Sequence, residues 1–442
     1  MKTFGLILNL FLFSLLCWSC NSKPKVDKPN IIIIMADDLG YGDLSLYGNR
    51  EILTPNIDQL GKEGALFTDF HSNGAVCSPT RAALLTGKYQ QRVGVDGVIT
   101  AKFNRDQGLA LSEKTFAETA KEMGYTTAMF GKWHLGYHTK FNPIRQGFDE
   151  YIGFVSGNVD YHSHIDQEGY EDWWSGDKLK KEVGYTTDLI SSHAVDFIER
   201  HHSKSFLLYI AHEAPHYPFQ GRASKAERKL RGTENNTFTP IGSAENKTEL
   251  YKEMIEVMDE GVGSILQTLK KLNLEENTFV FFMSDNGASS HGSNGKLRGN
   301  KGSLWEGGHR VSAMARWNKT IKAGQTLDAT LLTMDLWPTV AELMGASLPN
   351  DIDGVSFKKY LLEGEKTKNR KLFWQFGERL AMRDGPWKLV LERPDYTPEL
   401  YRLDEDLSET FEVSKQYPQK VEEMRKKLVE WKNEVNRPQL IH

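Results

Sequence analysis

Short, continuous apolar runs alternate with longer amphipathic stretches along the first three quarters of the chain. The runs cover residues 31–36, 126–130, 206–211 and 278–283. Run 31–36 is too short for a core helix and rich in isoleucine, which predicts a central strand covered on both faces. Helical patterns occur between the runs at 111–123, 185–200 and 250–272. Strands that alternate with helices predict an α/β fold, with a mostly parallel sheet flanked by helices.

The pattern changes after about Gly345. Charged stretches lead to two short hairpin-like segments, 380–383 and 387–391, around the turn Asp384-Gly385-Pro386, and a polar helical pattern follows at 418–433. This favours a smaller α+β subdomain, in which a small antiparallel sheet carries one covering helix. We therefore predict a large domain over residues 30–345 and a C-terminal subdomain over residues 346–442.

The first thirty residues have the layout of an export signal. An apolar run follows Lys2 and ends at Cys17-Trp18-Ser19-Cys20, and it is too short to span a bilayer. We predict a signal peptide over residues 1–20 and an exported protein. Ser19 before Cys20 resembles a bacterial lipoprotein cleavage site, so that Cys20 carries lipid and residues 21–29 form a tether. The protein would then be periplasmic or tethered to the outer membrane; cleavage and release is the alternative.

The charge and the cysteine content argue against a nucleic-acid-binding protein and against a disulfide-rich protein. The 442 residues carry 55 basic and 59 acidic side chains and a formal net charge of −4, which gives no basic footprint for nucleic acid. Two of the three cysteines belong to the predicted signal peptide, so a disulfide framework is excluded and only Cys77 remains. A lone cysteine most often serves only as a small buried hydrophobic residue. The residues around Cys77 indicate a different role, as described below.

Each of the four predicted strands ends in a polar cluster. In open α/β sheets the carboxyl ends of the strands border the ligand crevice, so these clusters should face one site. The clusters are Asp37-Asp38, Gly131-Lys132-Trp133-His134, His212-Glu213-Ala214-Pro215-His216 and Ser284-Asp285-Asn286-Gly287.

Asp37, Asp38 and Asp285 place three carboxylates directly after buried strands, and Asn286 adds an amide oxygen. An all-oxygen set suits Ca²⁺ or Mg²⁺ rather than Zn²⁺. The alternative is that each aspartate only caps the turn that follows it. The consecutive acids together with the acid–amide pair favour a metal.

Cys77 lies where a helix begins. Ser78 suits the N-cap, Pro79 the first helical position and Gly87 the end, so Cys77 should lie at a positive helix terminus that favours an anion. Arg81, one turn further on, adds a positive charge.

Lys132 and His134 are two residues apart, and on extended backbone both would point to the same side. We therefore expect them to bind a ligand and to transfer protons in the crevice. Lys301, in a glycine-rich segment, can add a further charge.

The segment from His212 to His216 matches the letters of the zinc motif H-E-x-x-H. That motif requires both histidines one turn apart on a helix. Pro215 falls inside the segment, which follows a predicted strand, so a zinc protease is excluded as an interpretation.

Several motifs together resemble the type I, formylglycine-dependent sulfatases. Cys77-Ser78-Pro79-Thr80-Arg81 followed by Leu84-Leu85-Thr86-Gly87 resembles the first family signature, and Gly131-Lys132-Trp133-His134-Leu135-Gly136 resembles the second. Glu399-Leu400-Tyr401-Arg402-Leu403 is also typical of the family. The resemblance implies an alkaline-phosphatase-like fold and a sulfuric ester hydrolase. It further implies conversion of Cys77 to Cα-formylglycine by a maturation enzyme, and one Ca²⁺ held by Asp37, Asp38, Cys77, Asp285 and Asn286.

The resemblance also implies a role for each catalytic side chain. One hydroxyl of the hydrated aldehyde attacks sulfur while Lys132 and Lys301 offset charge on the sulfate oxygens. Arg81 steadies the hydrate, and His216 protonates the leaving alcohol. His134 then takes a proton from the remaining hydroxyl, so that the aldehyde re-forms and sulfate leaves, a step that an ordinary serine could not perform.

The segment Asp160-Tyr161-His162-Ser163-His164 resembles the substrate loop of arylsulfatase B-like and bacterial polysaccharide sulfatases. This implies a sulfated carbohydrate with galactose or N-acetylgalactosamine units as the substrate. The substrate-binding residues would be Asp160, His162, His164, Lys132, His216 and Lys301.

Two other functions remain open at this point. One is a phosphonate or phosphate diester hydrolase of the same superfamily, and the other is a glycan-binding lipoprotein with an inactive site. Lys132, His134 and Lys301 favour sulfate over the diester. The intact maturation motif around Cys77 weighs against a protein that only binds.

Overall fold

The computed structural model describes residues 28–232, 242–392, 395 and 397–436. The predicted signal peptide, with Cys20, and tether residues 21–27 lie outside the described residues, so their interpretation stays a prediction. Within the described part of the chain, no helix is both long enough and apolar enough to cross a membrane.

Strands and helices alternate through most of the described chain. The strands are β1 Asn30–Ala36, β2 Ala65–Phe67, β3 Phe70–His71, β4 Thr126–Lys132, β5 Glu150–Phe154, β6 Trp174–Ser175, β7 Lys178–Leu179, β8 Phe206–Ala211, β9 Thr278–Ser284, β10 Ala313–Arg316, β11 Gln325–Leu327, β12 Leu331–Leu332, β13 Lys371–Phe376, β14 Arg379–Asp384, β15 Trp387–Leu391 and β16 Glu399–Arg402. The helices are α1 Pro55–Glu63, α2 Cys77–Thr86, α3 Phe116–Glu122, α4 Thr186–His201, α5 Lys247–Lys271, α6 Glu306–His309, α7 Leu336–Met344, α8 Lys358–Glu363 and α9 Pro418–Val435.

The large sheet has the strand order β11-β2-β10-β9-β1-β8-β4-β5-β6-β7. Its central strands β9, β1, β8, β4 and β5 are all parallel, and β10 runs antiparallel to β9. All four predicted strands are present as β1, β4, β8 and β9, and they lie side by side. The prediction that their carboxyl ends meet at one edge is therefore confirmed.

Strand β1 shows why these runs are continuously apolar. Ile31, Ile33 and Met35 belong to a core on one face of the sheet, which includes residues of α2, α3, α7 and α8. Ile32 and Ile34 belong to a core on the opposite face, which includes residues of α1, α4 and α5. Because helices cover both faces, every side chain of the strand is buried, as expected of a parallel sheet.

The predicted helices 185–200 and 250–272 are confirmed as α4 and α5, but the helix predicted from residue 111 begins only at Phe116. Thr115 is its N-cap: the Thr115 hydroxyl accepts the Glu118 N–H at 3.2 Å, and the Glu118 carboxylate accepts the Thr115 N–H at 2.8 Å. This capping box is readable in the sequence and explains the later start.

Strands β13 to β16 form a separate antiparallel sheet. The predicted hairpin is confirmed as β14 and β15, with β13 and β16 added at its edges, and the predicted covering helix is α9. Trp374, Met382 and Leu389 of this sheet share a core with Met424 of α9 and Ala83 of α2. The boundary predicted at residue 345 stays a prediction.

Candidate active site

Two acid-bearing turns meet at the carboxyl edge of the large sheet. Asp37 and Asp38 follow β1, and Asp285 and Asn286 follow β9; all four side chains are buried. The Asp38 N–H donates to the Asp285 carboxylate at 3.2 Å, and the Asn286 amide donates to Asp38 Oδ1 at 2.8 Å. The oxygen-rich set expected from the sequence is therefore one cluster in space.

Cys77 is the first residue of α2, and its Sγ lies 3.5 Å from Asp37 Oδ1. Burial, together with Asp37, raises the pKa of the Cys77 thiol to about 12. Because the thiolate is the nucleophilic form of cysteine, unmodified Cys77 is a poor nucleophile. The prediction of Ser78 as N-cap was wrong, since Val76 takes that position and the Ser78 hydroxyl accepts the Ile99 N–H at 3.1 Å.

Arg81 is a buried, positively charged residue that lies next to the acids. Its guanidinium donates to Asp285 Oδ2 at 2.8 Å and 3.1 Å and to the carbonyl of Lys132 at 2.8 Å. Lys132, fully buried at the end of β4, forms an ion pair with Asp37. Burial lowers the pKa of Lys132, but Asp37 together with Cys77 and Asp285 raises it above the ordinary lysine value.

Lys301 supplies the third cation, with its Nζ 2.7 Å from Asp38 Oδ1. Its side chain is 20% exposed, whereas that of Lys132 is fully buried, so Lys301 is the lysine that reaches open space. Three carboxylates thus face three cations in what we call the sheet-edge cluster, which we define as Asp37, Asp38, Asp285, Arg81, Lys132 and Lys301.

The sheet-edge cluster, together with Asn286, fits a hard cation even though its formal charges balance. Asp38 Oδ2 and Asn286 Oδ1 are buried and, within the described chain, receive no hydrogen bond. An unsatisfied buried acceptor costs about 1–3 kcal/mol, so such oxygens point to a missing partner. Ligand atoms of Asp37, Asp38, Cys77 and His216 lie within 4.8 Å of one another. A set dominated by carboxylate and amide oxygens suits Ca²⁺.

His134 follows β4 with a φ of 58°, so the prediction that it continues an extended backbone was wrong. Its Nε2–H donates to the Ile99 carbonyl at 2.9 Å, and its buried Nδ1 receives no hydrogen bond within the described chain. Burial, with Lys132 next in size, holds the pKa of His134 well below the ordinary value. The ring is therefore neutral and offers a lone pair at Nδ1.

His216 has the opposite tautomer. Its Nδ1–H donates to the Tyr217 carbonyl at 2.7 Å, and its Nε2 lies 3.8 Å from Asp38 Oδ2. Burial, with Lys301 next, holds the pKa of His216 well below the ordinary value. Residues 212–216 are irregular, with a turn at 214–215, and form no helix, in agreement with the rejection of the zinc motif.

A cavity of about 300 Å³ opens onto Cys77, and we call it the Cys77 cavity. Its lining includes the predicted residues His134, His216 and Lys301. Residues that the sequence analysis did not identify complete the lining: Val98, Ile99, Thr100, Tyr137, Ser156, Gly157, Asn158, Gln167, Glu168 and Tyr217. Ser156 and Asn158 follow β5, which pairs with β4. Had the sequence analysis recognised β5 as a strand, the rule that the carboxyl ends of the strands border the ligand crevice would have identified both residues.

The residues of the predicted substrate loop lie elsewhere. Asp160 is buried, and its carboxylate accepts the N–H groups of His162 and Ser163 at 3.0 and 2.8 Å. His162 and His164 line a separate cavity of about 390 Å³. The structure does not bring these side chains to the Cys77 cavity, and their contact with substrate stays a prediction.

Comparison with known proteins was made at the level of family, sequence and fold. The family described as Sulfatase matches residues 29–346, and the family described as N-sulphoglucosamine sulphohydrolase, C-terminal, matches residues 299–434. N-acetylgalactosamine-6-sulfatase of Canis lupus familiaris is 35% identical over 390 residues, which cover 81% of this chain and 71% of that protein. Arylsulfatase A of Homo sapiens is 34% identical over 381 residues, which cover 78% and 70%.

Solved structures show the same similarity in three dimensions. The crystal structure of Ps i-CgsB in complex with k-i-k-neocarrahexaose has a TM-score of 0.82 and 30% identity, and the match covers 92% of this chain and 93% of that one. The fold and the family expected from the motifs are thereby confirmed. The chain belongs to the sulfatase family, has its alkaline-phosphatase-like fold, and is a sulfuric ester hydrolase.

Proposed function

We propose that this chain is an exported sulfatase that removes sulfate from galactose or N-acetylgalactosamine units of a sulfated polysaccharide. It would act through Cys77 converted to formylglycine and one Ca²⁺. A sulfated carbohydrate as substrate class is supported by the family and its relatives. The sugar is inferred from the similarity to N-acetylgalactosamine-6-sulfatase and to a protein that holds neocarrahexaose.

The observation that carries the proposal is the position of Cys77. It lies at a helix N-terminus, beside Asp37, and lines a cavity together with His134, His216 and Lys301. A helix N-terminus and a lysine ammonium both favour a bound anion. The thiol itself is a poor nucleophile at this position, which supports a role for the residue only after conversion.

Asp37, Asp38, Asp285 and Asn286, with converted Cys77, would hold Ca²⁺. When bound, Ca²⁺ supplies positive charge that favours the sulfate group. Arg81 positions this set, because its guanidinium ties Asp285 to the end of β4.

The side chains around the cavity suit distinct tasks. Lys301 reaches the cavity and can contact sulfate oxygens. His134 offers a free Nδ1 and is suited to accept a proton from a hydroxyl on residue 77. His216 can protonate the leaving oxygen at Nε2 once that nitrogen carries a proton, and a bound sulfate ester favours this because it offsets the positive charge of Lys301.

The test combines chemistry at residue 77 with substrate choice. Mass spectrometry of the peptide that contains Cys77 measures conversion, and verified protein is assayed on monosulfated galactose and N-acetylgalactosamine, on an aryl sulfate and on an aryl phosphate diester. We expect turnover of a monosulfated sugar. Faster turnover of the diester, or binding of sulfated glycans without desulfation, would contradict the proposal.

The predicted lipid anchor is tested separately. We expect the chain in the membrane fraction of its host and Cys20→Ala in the soluble fraction. Equal distribution of both proteins would favour cleavage and release.

A further inference from the structure

The Cys77 cavity is lined by charges of both signs. Lys301 is its positively charged residue, and the acidic residue Glu168 belongs to the same lining. Glu168 lies in the segment between β5 and β6. Ser156 and Asn158 of the same segment also line the cavity. A sulfate group that binds beside Cys77 and Lys301 therefore shares the cavity with a fixed acid.

Glu168 is held in place by a tight turn. The buried carboxylate of Asp166 accepts the N–H groups of Glu168 and Tyr170 at 3.0 and 2.8 Å, and the Gly169 N–H donates to the Asp166 carbonyl at 3.2 Å. Asp166 is only 2% exposed. The hydrogen bonds of this turn therefore hold the Glu168 backbone in a fixed position.

Two arginines near Glu168 contact other groups, two of which, Tyr137 and Asn158, also line the cavity. The Arg105 guanidinium stacks on the rings of Tyr137 and Tyr170 at 5.6 and 5.2 Å. Buried Arg228 donates to Asn158 Oδ1 at 2.5 Å. Burial, with Asp166 next, raises the pKa of Glu168, and a hydrogen bond from its own backbone N–H and the two arginines reduce this effect. Within the described residues, no lysine or arginine forms an ion pair with Glu168, so its carboxylate can still interact with groups that enter the cavity.

We propose that Glu168 is a specificity-determining residue that excludes a second anionic group from the sugar that carries the scissile sulfate. Sugar hydroxyls can donate hydrogen bonds to a carboxylate, whereas a neighbouring sulfate meets a like charge. The cavity thus selects a monosulfated unit over a disulfated one by repulsion as well as by contact. This inference rests on the proposed function and names its substrate more narrowly.

The test compares Glu168→Gln with a matched control, Glu171→Gln. Glu171 is an exposed acid three residues further on; it pairs with Lys181 at 3.3 Å and lines the other cavity. For each protein, kcat/KM is measured on N-acetylgalactosamine 6-sulfate and 4,6-disulfate, and on the matching galactose pair. We expect Glu168→Gln to raise the ratio of disulfate to monosulfate turnover at least about tenfold, and Glu171→Gln to leave the ratio unchanged.

A second readout separates charge repulsion from an altered cavity shape. Added salt should reduce the discrimination of the unmodified chain and have little effect on Glu168→Gln. Glu168→Ala should shift the ratio in the same direction. A ratio that stays constant in both variants, while the unmodified chain is active, overturns this inference alone. Failure of verified, converted protein on every pair overturns the proposed function and this inference with it.

Discussion

The sheet-edge cluster has a counterpart with the same formal charge, which we call the anchor cluster. It joins the C-terminal sheet to the segment around β3 and α6. Arg310 pairs with Asp69 at 3.1 Å and with Glu306 at 3.0 Å. Its members are Asp69, Glu306, Glu409, Arg310, Arg383 and Lys388, so it also holds three acids and three bases.

Glu306 of the anchor cluster and two adjacent histidines form a set of possible metal ligands. His71, Glu306 and His309 have ligand atoms within 4.8 Å of one another. The ring nitrogens are already engaged: His71 Nε2 contacts Asp69 at 2.8 Å, the two Nδ1 atoms lie 3.0 Å apart, and His309 Nε2 lies 3.2 Å from the Leu304 carbonyl. Lys388 Nζ lies 3.2 Å from the same His309 nitrogen.

The difference between the clusters lies in what remains unsatisfied. In the sheet-edge cluster, Asp38 Oδ2 receives no hydrogen bond within the described residues, nor does Oδ1 of the adjoining Asn286, and Lys301 of this cluster lines the Cys77 cavity. In the anchor cluster, Glu409 Oε1 also receives no hydrogen bond within the described residues, but a cation already lies beside it: Lys388 Nζ is 2.9 Å from Glu409 Oε1 and 2.9 Å from Glu306 Oε1. Crowded acids and histidines are therefore not enough to identify a functional site. Buried ligand atoms that lack a partner and lie beside a cavity are the more informative feature.

Replacement of Cys77 should have the largest effect on activity. Cys77→Ala removes the residue to be converted, and we expect kcat/KM to fall at least about 10⁴-fold, the scale of a lost nucleophile. The midpoint of thermal unfolding should change little, because only one small side chain is shortened. Activity above about one hundredth of that of the unmodified chain would argue against a nucleophile at position 77.

A matched pair of lysine substitutions should separate stability from activity. Lys388→Met leaves Glu306 and Glu409 buried without their shared cation, so we expect a loss of about 3–5 kcal/mol in the free energy of unfolding. Activity per folded molecule should persist. Lys301→Met, measured with Ca²⁺ present, should lower kcat about 10²–10³-fold with a smaller loss of stability. The same outcome for both variants would remove the distinction between the clusters.

Calcium should act on only one of the clusters. Chelation should abolish activity, and Ca²⁺ at about 100 times its Kd should stabilise the folded chain by about 2.7 kcal/mol. Calorimetry with and without Ca²⁺ measures this gain. We expect His309→Ala to keep the gain and Asp38→Ala to lose it. A gain that depends on His309 would place the metal in the anchor cluster.

The two clusters also differ in how far they could be predicted from the sequence. Asp37, Lys132 and Asp285 lie at or directly after the ends of predicted strands, so sheet geometry alone brings them together. The members of the anchor cluster come from separate segments, and Glu409 and Glu306 meet only through the packing of the C-terminal sheet. No local pattern predicts that contact. The His134 backbone was missed for a similar reason, since its positive φ depends on tertiary packing and not on local propensity.

The smallest of the predicted effects is a pH dependence of stability, and it arises in the anchor cluster. Burial raises the pKa of Glu409 to about 7, with Lys388 opposing the rise. Glu409 therefore binds a proton more tightly in the folded chain than in the unfolded chain. Its contribution to stability is complete below the ordinary glutamate pKa of about 4.5 and is lost as pH rises through about 7.

Glu409→Gln removes this titration but keeps an acceptor for the Glu306 N–H, which Glu409 binds at 2.7 Å. Between pH 5 and 8, at constant ionic strength, the unfolding free energy of the unmodified chain should fall relative to that of Glu409→Gln by on the order of 1 kcal/mol. Thermal unfolding across the range measures the difference. Parallel profiles would mean that Lys388 keeps Glu409 ionised, and that the anchor cluster is as insensitive to pH as its formal charge balance suggests.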